Sequence, residues 1–544
     1  MNGRYCILDC YVDEPACFGV PPFVSPYPRY VYGALLDGGA ASEQIAYRTI
    51  DQLREWDFRL DEHYTAVFLI GGAVVPGKYL GQKIGTTVEL ERIVTENATV
   101  PFLSGGPAAR MMSNVHNNLY RVTGDIEQYA FTYLCGSAVD GCRSYVDLNR
   151  WARLGSSMVR HHPHYPDIIC EIESYRGCPR SRHCSFCSEK LYGSVEYRDQ
   201  EDILAEVDSL IESGVSRFRL GRQADILAYK SSAAEYIDSF PRPNPDEVVP
   251  LFHELSKRRL DGRISVLNVD NANPGTIAHF ERESHDILTA IAAAVSPGDT
   301  LPLGIESFDP AVIARNNLKI GVDDFFRVVR LMNDAGGHRE DGVPKLLPGV
   351  NLIHGLPGEN METFRMNFEA LHEAAERGLL LKRINIRTLV PYDTSGAGRR
   401  LSASVTSRYR YFRNRIRREI DHHMLSRVYP HGAVLRDVKW VGKRYDVSYG
   451  RQIASYAITV KTRMEVPSGT FSDTVVCNHA ERSLEGFIPP LHLNEASVRQ
   501  LEAVYGIGKN MARTIVARRP FTEQKEAETH LQTVPDALRR HLQP

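Results

Sequence analysis

Near the start of the chain, apolar residues come in short runs punctuated by glycine and proline. Arg4–Val12 is β-like and runs into Asp13-Glu14-Pro15 and a proline-rich stretch containing Pro21-Pro22 and Pro26-Tyr27-Pro28. A helix is predicted from about Arg29. Ala66–Ile70 is an unbroken apolar strand closed by Gly71-Gly72, and Val100-Pro101-Phe102-Leu103-Ser104-Gly105-Gly106-Pro107 repeats that plan. Strand, Gly-Gly loop and helix in alternation predict a doubly wound parallel sheet, whose ligands sit at the carboxyl ends of the strands. The same glycines also suit plain tight turns.

From Asp167 to about Thr388 the alternation resumes. Candidate strands are Ile168–Ile172, Arg217–Leu220, Ile264–Val269, Leu301–Ile305, Leu346–Ile353 and Arg383–Thr388, with helices such as Asp202–Ile211 and Phe325–Met332 between them. Six such units predict an open or partial barrel. Beyond Leu401 the character changes to a basic helix, Arg408–Arg427, then to alternating β segments at Ala433–Tyr445 and Ser455–Val466, and last to a helical tail. The expected organisation is thus α/β and multidomain. A Rossmann-like domain covers 1–150, a partial (β/α)6 barrel 160–400, the basic helix 401–430, a β-rich module 431–488 and a helical tail 490–544.

Composition narrows the class. A chain of 544 residues suits roughly three to five domains. With 43% hydrophobic residues, 24% charged and a net charge of −2, it is neither disordered nor strongly attracted to nucleic acid as a whole. No basic-then-apolar leader opens it and no apolar run approaches the roughly 18 residues of a membrane span. A cytoplasmic, membrane-free protein is expected. Ten cysteines, clustered along the chain, suit metal binding in a reducing compartment better than a disulfide framework.

Most of the chemical information lies in Glu173-Ser174-Tyr175-Arg176-Gly177-Cys178-Pro179-Arg180-Ser181-Arg182-His183-Cys184-Ser185-Phe186-Cys187. Cys178, Cys184 and Cys187, on a loop directly after a strand, can hold three irons of a [4Fe–4S] cubane and leave the fourth open to a chelating cosubstrate. The competing reading is zinc, but no second cysteine pair follows; only Cys477 remains downstream.

These residues resemble the radical S-adenosylmethionine superfamily over roughly residues 165–400. The family's usual spacing is three residues then two; here it is five then two, with the expected aromatic, Phe186, before the last cysteine. Later landmarks fall in order at strand ends: Gly221-Arg222-Gln223-Ala224-Asp225 in place of the family's Gly-Gly-Glu, Gly304-Ile305-Glu306-Ser307, and Asn351-Leu352-Ile353-His354-Gly355. The resemblance implies that Phe186, Gln223, Glu306 and Asn351 contact S-adenosylmethionine, which is cleaved to a 5′-deoxyadenosyl radical.

A Rossmann-like domain ahead of a radical barrel resembles the cobalamin-binding branch of that superfamily. It implies a corrin site at Gly72, Val75, Pro76, Tyr79, Ser104, Gly105 and Gly106. The Asp-x-His-x-x-Gly signature of an axial histidine is missing, since Asp61-Glu62-His63 lacks the glycine and precedes a strand, so no histidine on cobalt is expected. The rival is a methylthiotransferase with a second cluster. Its cysteines would have to come from the crowded Cys6, Cys10 and Cys17 or from Cys135 and Cys142, and buried core cysteines are the commoner use of such residues.

Leu501–Ala512, with Gly506-Ile507-Gly508, resembles a helix-hairpin-helix. Lys509, Arg513, Arg518 and Arg519 would favour nucleic acid, and a docking cap is the equal alternative. The β segment with Tyr449-Gly450-Arg451-Gln452 is either a small substrate-binding barrel or a structural module. The chain as a whole is similar to archaeal cobalamin-dependent radical enzymes with a terminal helix-hairpin-helix. That implies methylation of an unactivated carbon, with a glutamine of methyl-coenzyme M reductase as the expected substrate and ferredoxin or flavodoxin as electron donor. RNA modification is the alternative.

Overall fold

The computed structural model describes residues 3–12, 23–72, 83–112, 116–232, 234–389, 403–454 and 456–544. Its first sheet has five parallel strands: β1 Tyr5–Asp9, β2 Ile45–Thr49, β3 Ala66–Ile70, β4 Phe102–Gly105 and β5 Leu119–Arg121. They lie in the order 2-1-3-4-5. Alternation along β1 explains why both faces are covered. Tyr5 and Ile7 join Val31, Leu35, Ile126 and Ala130 on one side, while Cys6 and Leu8 join Ile50, Leu53, Leu90 and Ile93 on the other. Two of these strands escape the sequence reading: β2 alternates buried and half-buried residues instead of forming an unbroken apolar run, and β5 is only three residues long.

The six expected barrel strands are all present and parallel: β6 Ile169–Glu173, β7 Arg217–Gly221, β8 Val266–Val269, β9 Asp299–Glu306, β10 Leu346–His354 and β11 Arg383–Thr388. They form two runs of three joined by a single bridge, Ala272 to Leu303. Cys170, Ile172, Phe218, Leu220, Leu267, Leu301, Leu303 and Leu352 face the surrounding helices. By the same alternation Glu171, Arg219, Asn268, Glu306 and Asn351 face the lumen. The two-residue strand Phe23–Val24, which precedes the helix Pro26–Asp37, pairs with Ile169–Cys170 and so carries the amino-terminal part onto the barrel edge.

The basic segment is the barrel's sixth helix and not a separate unit. It runs from Ala403 through a π-type turn at Arg417–Asp421 to Val428. It buries Phe412, Ile416, Ile420 and Met424 against the barrel, while Arg410 and Arg418 stay exposed. Arg410 and Arg418 lie on the solvent face of this amphipathic helix, and Arg413, Arg415 and Arg417 are half-buried along its flanks.

Five strands then close a small barrel: β12 Val434–Arg444, β13 Val447–Gln452, β14 Thr459–Thr462, β15 Phe471–His479 and β16 Ser483–Phe487, in the order 12-13-14-16-15. β14 and β16 are parallel and the other pairs antiparallel, which is the OB arrangement. This barrel closes the amino-terminal floor of the radical barrel. Ile453 packs with Phe23, Ile169 and Val266, and Lys439 Nζ pairs with Asp167 at 2.8 Å. In the tail, helices Val498–Glu502 and Lys509–Ala517 flank a turn with Gly506 at φ 90°. Leu501, Val504, Ile507 and Ile515 share one core with Val434, Val475 and Phe487, so tail and small barrel form one body. No helix among the described residues is long and apolar enough to cross a membrane.

Candidate functional site

The cysteine loop leaves the carboxyl end of β6. Tyr175–Arg176 pairs antiparallel with Glu196–Tyr197, and Gly177, at φ 93°, turns the chain into Cys178 where a side chain would be strained. Tyr175 Oη receives the backbone N–H of Asp225 at 2.8 Å and donates to the Asp225 carbonyl at 2.5 Å, tying the loop to the end of β7. Cys184 is buried, and Cys178 and Cys187 are half-buried. Burial pushes the Cys178 thiol up to about 11 and that of Cys187 up to about 12, so metal must displace protons to bind them. No three His, Cys, Asp or Glu side chains among the described residues converge on a single-ion site. Three thiolates that each take a separate iron of a cubane need no such convergence.

Two cations stand beside these sulfurs. Arg180 Nη1 lies 3.2 Å from Cys184 Sγ. Lys319 Nζ donates to the Gly304 carbonyl at 2.6 Å and lies 3.4 Å from Glu306 Oε1. Burial works against the Lys319 charge, but the Cys184 thiolate and the Glu306 carboxylate more than offset it and its pKa rises. Glu306 ends β9 in the left-handed region, φ 68°, which a non-glycine residue adopts at a cost. Burial pushes its carboxyl upward against the pull of Lys319, and its Oε2 is buried without a hydrogen-bond partner among the described residues. A strained, partly unpaired carboxylate at a barrel strand end is poised to receive a donor from a ligand.

Of the other expected contacts, Phe186 packs on Val312, Leu318 and Leu356 beside the loop. Asn351 accepts from Asn385 at 2.9 Å on the lumen side of β10. Gln223 is committed to the scaffold. It donates to the carbonyls of Leu220 at 3.2 Å and Asp270 at 2.8 Å and accepts from Ser174 at 3.4 Å.

Of the amino-terminal candidates, Gly72, Ser104, Gly105 and Gly106 line the carboxyl edge of the first sheet. A Cβ on Gly72 would fall 2.0 Å from the Val12 carbonyl and one on Gly105 would fall 2.6 Å from Ile126 Cβ, so both glycines serve close packing within the domain. Gly106 is at φ 83° and starts the helix Pro107–Met111. Ser104 is buried with its Oγ 3.9 Å from Met112 Sδ. Val75, Pro76 and Tyr79 lie outside the described residues. Cys6 and Cys10 are fully buried among Leu8, Tyr64, Val67 and Leu90, while Cys135 and Cys142 are exposed; Cys17 also lies outside the described residues.

An ionic network joins this edge to the cysteine loop. Arg176 reaches Asp125 at 2.5 Å, Glu173 at 3.3 Å and Glu127 at 3.5 Å. Arg143 reaches Glu127 and Glu173 at 3.2 Å each and Glu196 at 3.4 Å. Asp125 follows the end of β5, so the carboxyl edge of the first sheet faces the loop that bears the cysteines. Arg176, Arg180 and Lys319 escaped the sequence reading. Arg180 alone carried a signal, since it sits within the enlarged Cys178-to-Cys184 spacing.

Residues 172–371 match the model of the Radical SAM superfamily. The chain is 38% identical over 514 residues to an uncharacterized protein of Methanocaldococcus jannaschii, covering 89% of this chain and 93% of that one. It is 37% identical over 538 residues to an uncharacterized protein of Archaeoglobus fulgidus, covering 96% and 97%. Among solved structures it is similar to the radical S-adenosylmethionine methyltransferase TsrM from Kitasatospora setae with cobalamin and a [4Fe–4S] cluster bound: TM-score 0.48, 16% identity, 71% of this chain and 75% of that chain. It is also similar to the cobalamin-dependent S-adenosylmethionine radical enzyme OxsB: TM-score 0.47, 13% identity, 76% and 55%. At these scores the likeness is one of outline alone.

Proposed function

This chain belongs to the archaeal family of its full-length relatives and carries a radical S-adenosylmethionine domain with a [4Fe–4S] cluster, and from that premise we propose that it is a cobalamin-dependent radical C-methyltransferase. The observation that carries the proposal is the docking of a 2-1-3-4-5 parallel sheet with its carboxyl edge toward the cluster loop through Arg143 and Arg176. In such sheets the ligand crevice opens where the strand order reverses, here between β1 and β3. When bound, the cluster supplies one electron to S-adenosylmethionine and cobalamin carries the methyl group. The chain's own part is to hold the two near each other. Cys178, Cys184 and Cys187 would ligate three irons, and Glu306 at the end of β9 and Asn351 on the lumen side of β10 would face the cosubstrate. The carboxyl ends of β1, β3 and β4, with Gly106, would border the corrin.

The substrate we expect, from the resemblance of the whole chain set out above, is a glutamine side chain of methyl-coenzyme M reductase, with ferredoxin or flavodoxin as electron donor. The direct experiment is anaerobic reconstitution with iron, sulfide and hydroxocobalamin, followed by metal analysis. About four irons with one cobalt per chain is the expected result. Iron without cobalt removes the methyltransferase branch. Comparing methylated peptides of the reductase with and without the gene then tests the substrate.

One observation favours a second reading, modification of RNA. The carboxy-terminal body joins an OB-type barrel, a fold that binds oligonucleotides, to a Gly506–Gly508 turn followed by exposed Lys509 and Arg513. Binding of transfer RNA with a steep salt dependence would favour it.

Glu306→Gln keeps the shape of the side chain and removes its charge. It should weaken S-adenosylmethionine binding by about tenfold, in line with ~1.5 kcal/mol for a hydrogen bond to a charged group, while iron content is unchanged. Equilibrium dialysis of the reconstituted variant checks this, and wild-type affinity would remove Glu306 from the cosubstrate site.

A further inference from the structure

Arg180 is 6% exposed, yet all of its hydrogen-bond partners in the protein scaffold are uncharged. Nε and Nη2 donate to Ser239 Oγ at 3.3 and 3.0 Å, Nη1 donates to the Asn317 carbonyl at 3.1 Å, and the guanidinium stacks on Phe240 at 4.5 Å. Among the described residues no carboxylate pairs with it. The second arginine of the same loop, Arg182, is exposed and pairs with Asp238. A buried cation without a counter-charge is costly, and proteins rarely keep one unless something anionic completes the site. Among the described residues, the one remaining hydrogen bond of Arg180 is to the sulfur of Cys184, 3.2 Å away.

We propose that Arg180 is a tuning residue for the cluster. Its guanidinium, fixed by Ser239, Asn317 and Phe240, donates to the Cys184 sulfur and raises the cluster's reduction potential. The charge balance supports this direction. A cubane on three thiolates carries one negative charge when oxidised and two when reduced, so a fixed neighbouring cation and an N–H···S bond both favour the reduced state. Lys319, held between Gly304 and Glu306, adds a second positive charge to the same sulfurs. The enlarged spacing between Cys178 and Cys184 then has a physical purpose. It lengthens the loop enough for Arg180 to reach the hairpin of Tyr236–Ile237 and Phe240–Pro241 while still returning its fork to the sulfur. The inference rests on the cluster alone, so it stands or falls independently of cobalamin and methyl transfer.

The test is a dye-mediated redox titration of the reconstituted full-length protein, following the reduced cluster by electron paramagnetic resonance. Arg180→Met should lower the reduced-to-oxidised ratio at a set potential by about tenfold, which is ~59 mV for one electron. Arg180→Lys, which keeps the charge and loses the fork, should fall between that variant and wild type. An unchanged midpoint in either variant that holds its iron overturns the proposal. Loss of the cluster from both variants also overturns it, because Arg180 would then be a clamp that holds the loop together and not a tuner.

Discussion

Cys184→Ala protein, reconstituted anaerobically, should come off a desalting column with little iron and make 5′-deoxyadenosine at less than about one-hundredth of the wild-type rate. Partners outside the ligand shell of metal sites already cost 10–100-fold when removed, so deleting a ligand should cost more than roughly 100-fold. Cys184 is the buried member of the three thiols and sits between the other two, hydrogen-bonded through its carbonyl to the Cys187 N–H at 3.2 Å. Its loss leaves two thiolates that cannot close a three-point chelate on a cubane. It also leaves Arg180 facing an apolar methyl group. Wild-type iron together with normal cosubstrate cleavage in this variant would mean that the cluster lies elsewhere.

The second large effect concerns stability. Glu206 accepts from Arg29 and Arg198, each at 2.6 Å, and all three side chains are fully buried. Arg29 also reaches the Glu171 carbonyl at 2.7 Å, and Arg198 reaches the Glu173 carbonyl at 3.0 Å and Asn149 at 3.0 Å. One carboxylate thus binds the amino-terminal helix Pro26–Asp37 to the first barrel helix, Gln200–Glu212, behind the strand that feeds the cysteine loop. Glu206→Leu strands two guanidinium groups without a counter-charge. Removing one partner of a buried pair costs about 3–5 kcal/mol, against a total of roughly 5–15 kcal/mol for a folded domain. The variant should be largely insoluble or melt far below wild type. Glu206→Gln, which keeps one carbonyl acceptor, should lie between them. Urea unfolding midpoints close to wild type for both variants would show that the triad contributes little.

The barrel was legible because its strands carry apolar residues at alternate positions and recur with helical segments between them. The six expected strands match the observed ones to within two residues at nearly every end. Ser455–Val466 was read as a longer β segment than the Thr459–Thr462 strand that forms, since alternation continues past the last hydrogen-bonded pair. The arginine run looked like a separate element because charge dominates its composition. Its buried stripe of Phe412, Ile416, Ile420 and Met424 becomes plain only once a partner surface exists. The three cysteines stand out in the sequence by their clustering on a loop directly after a strand. Lys319 does not, because its position beside Glu306 depends on where the chain after the helix that follows β9 places a lysine that has no sequence signature of its own. Gly72 and Gly105 illustrate the opposite error. A glycine spared for a ligand and a glycine spared for a neighbouring backbone look identical in one dimension.

The short pairing of Phe23–Val24 with Ile169–Cys170 also bears on how the chain is made. The amino-terminal sheet can begin to assemble while the ribosome is still translating, but this strand must wait for its partner. At roughly 5–20 residues per second the wait is on the order of 10 s, long enough for encounters with other nascent chains. The edge left open in the interval is two residues long, too short to template pairing with a stranger.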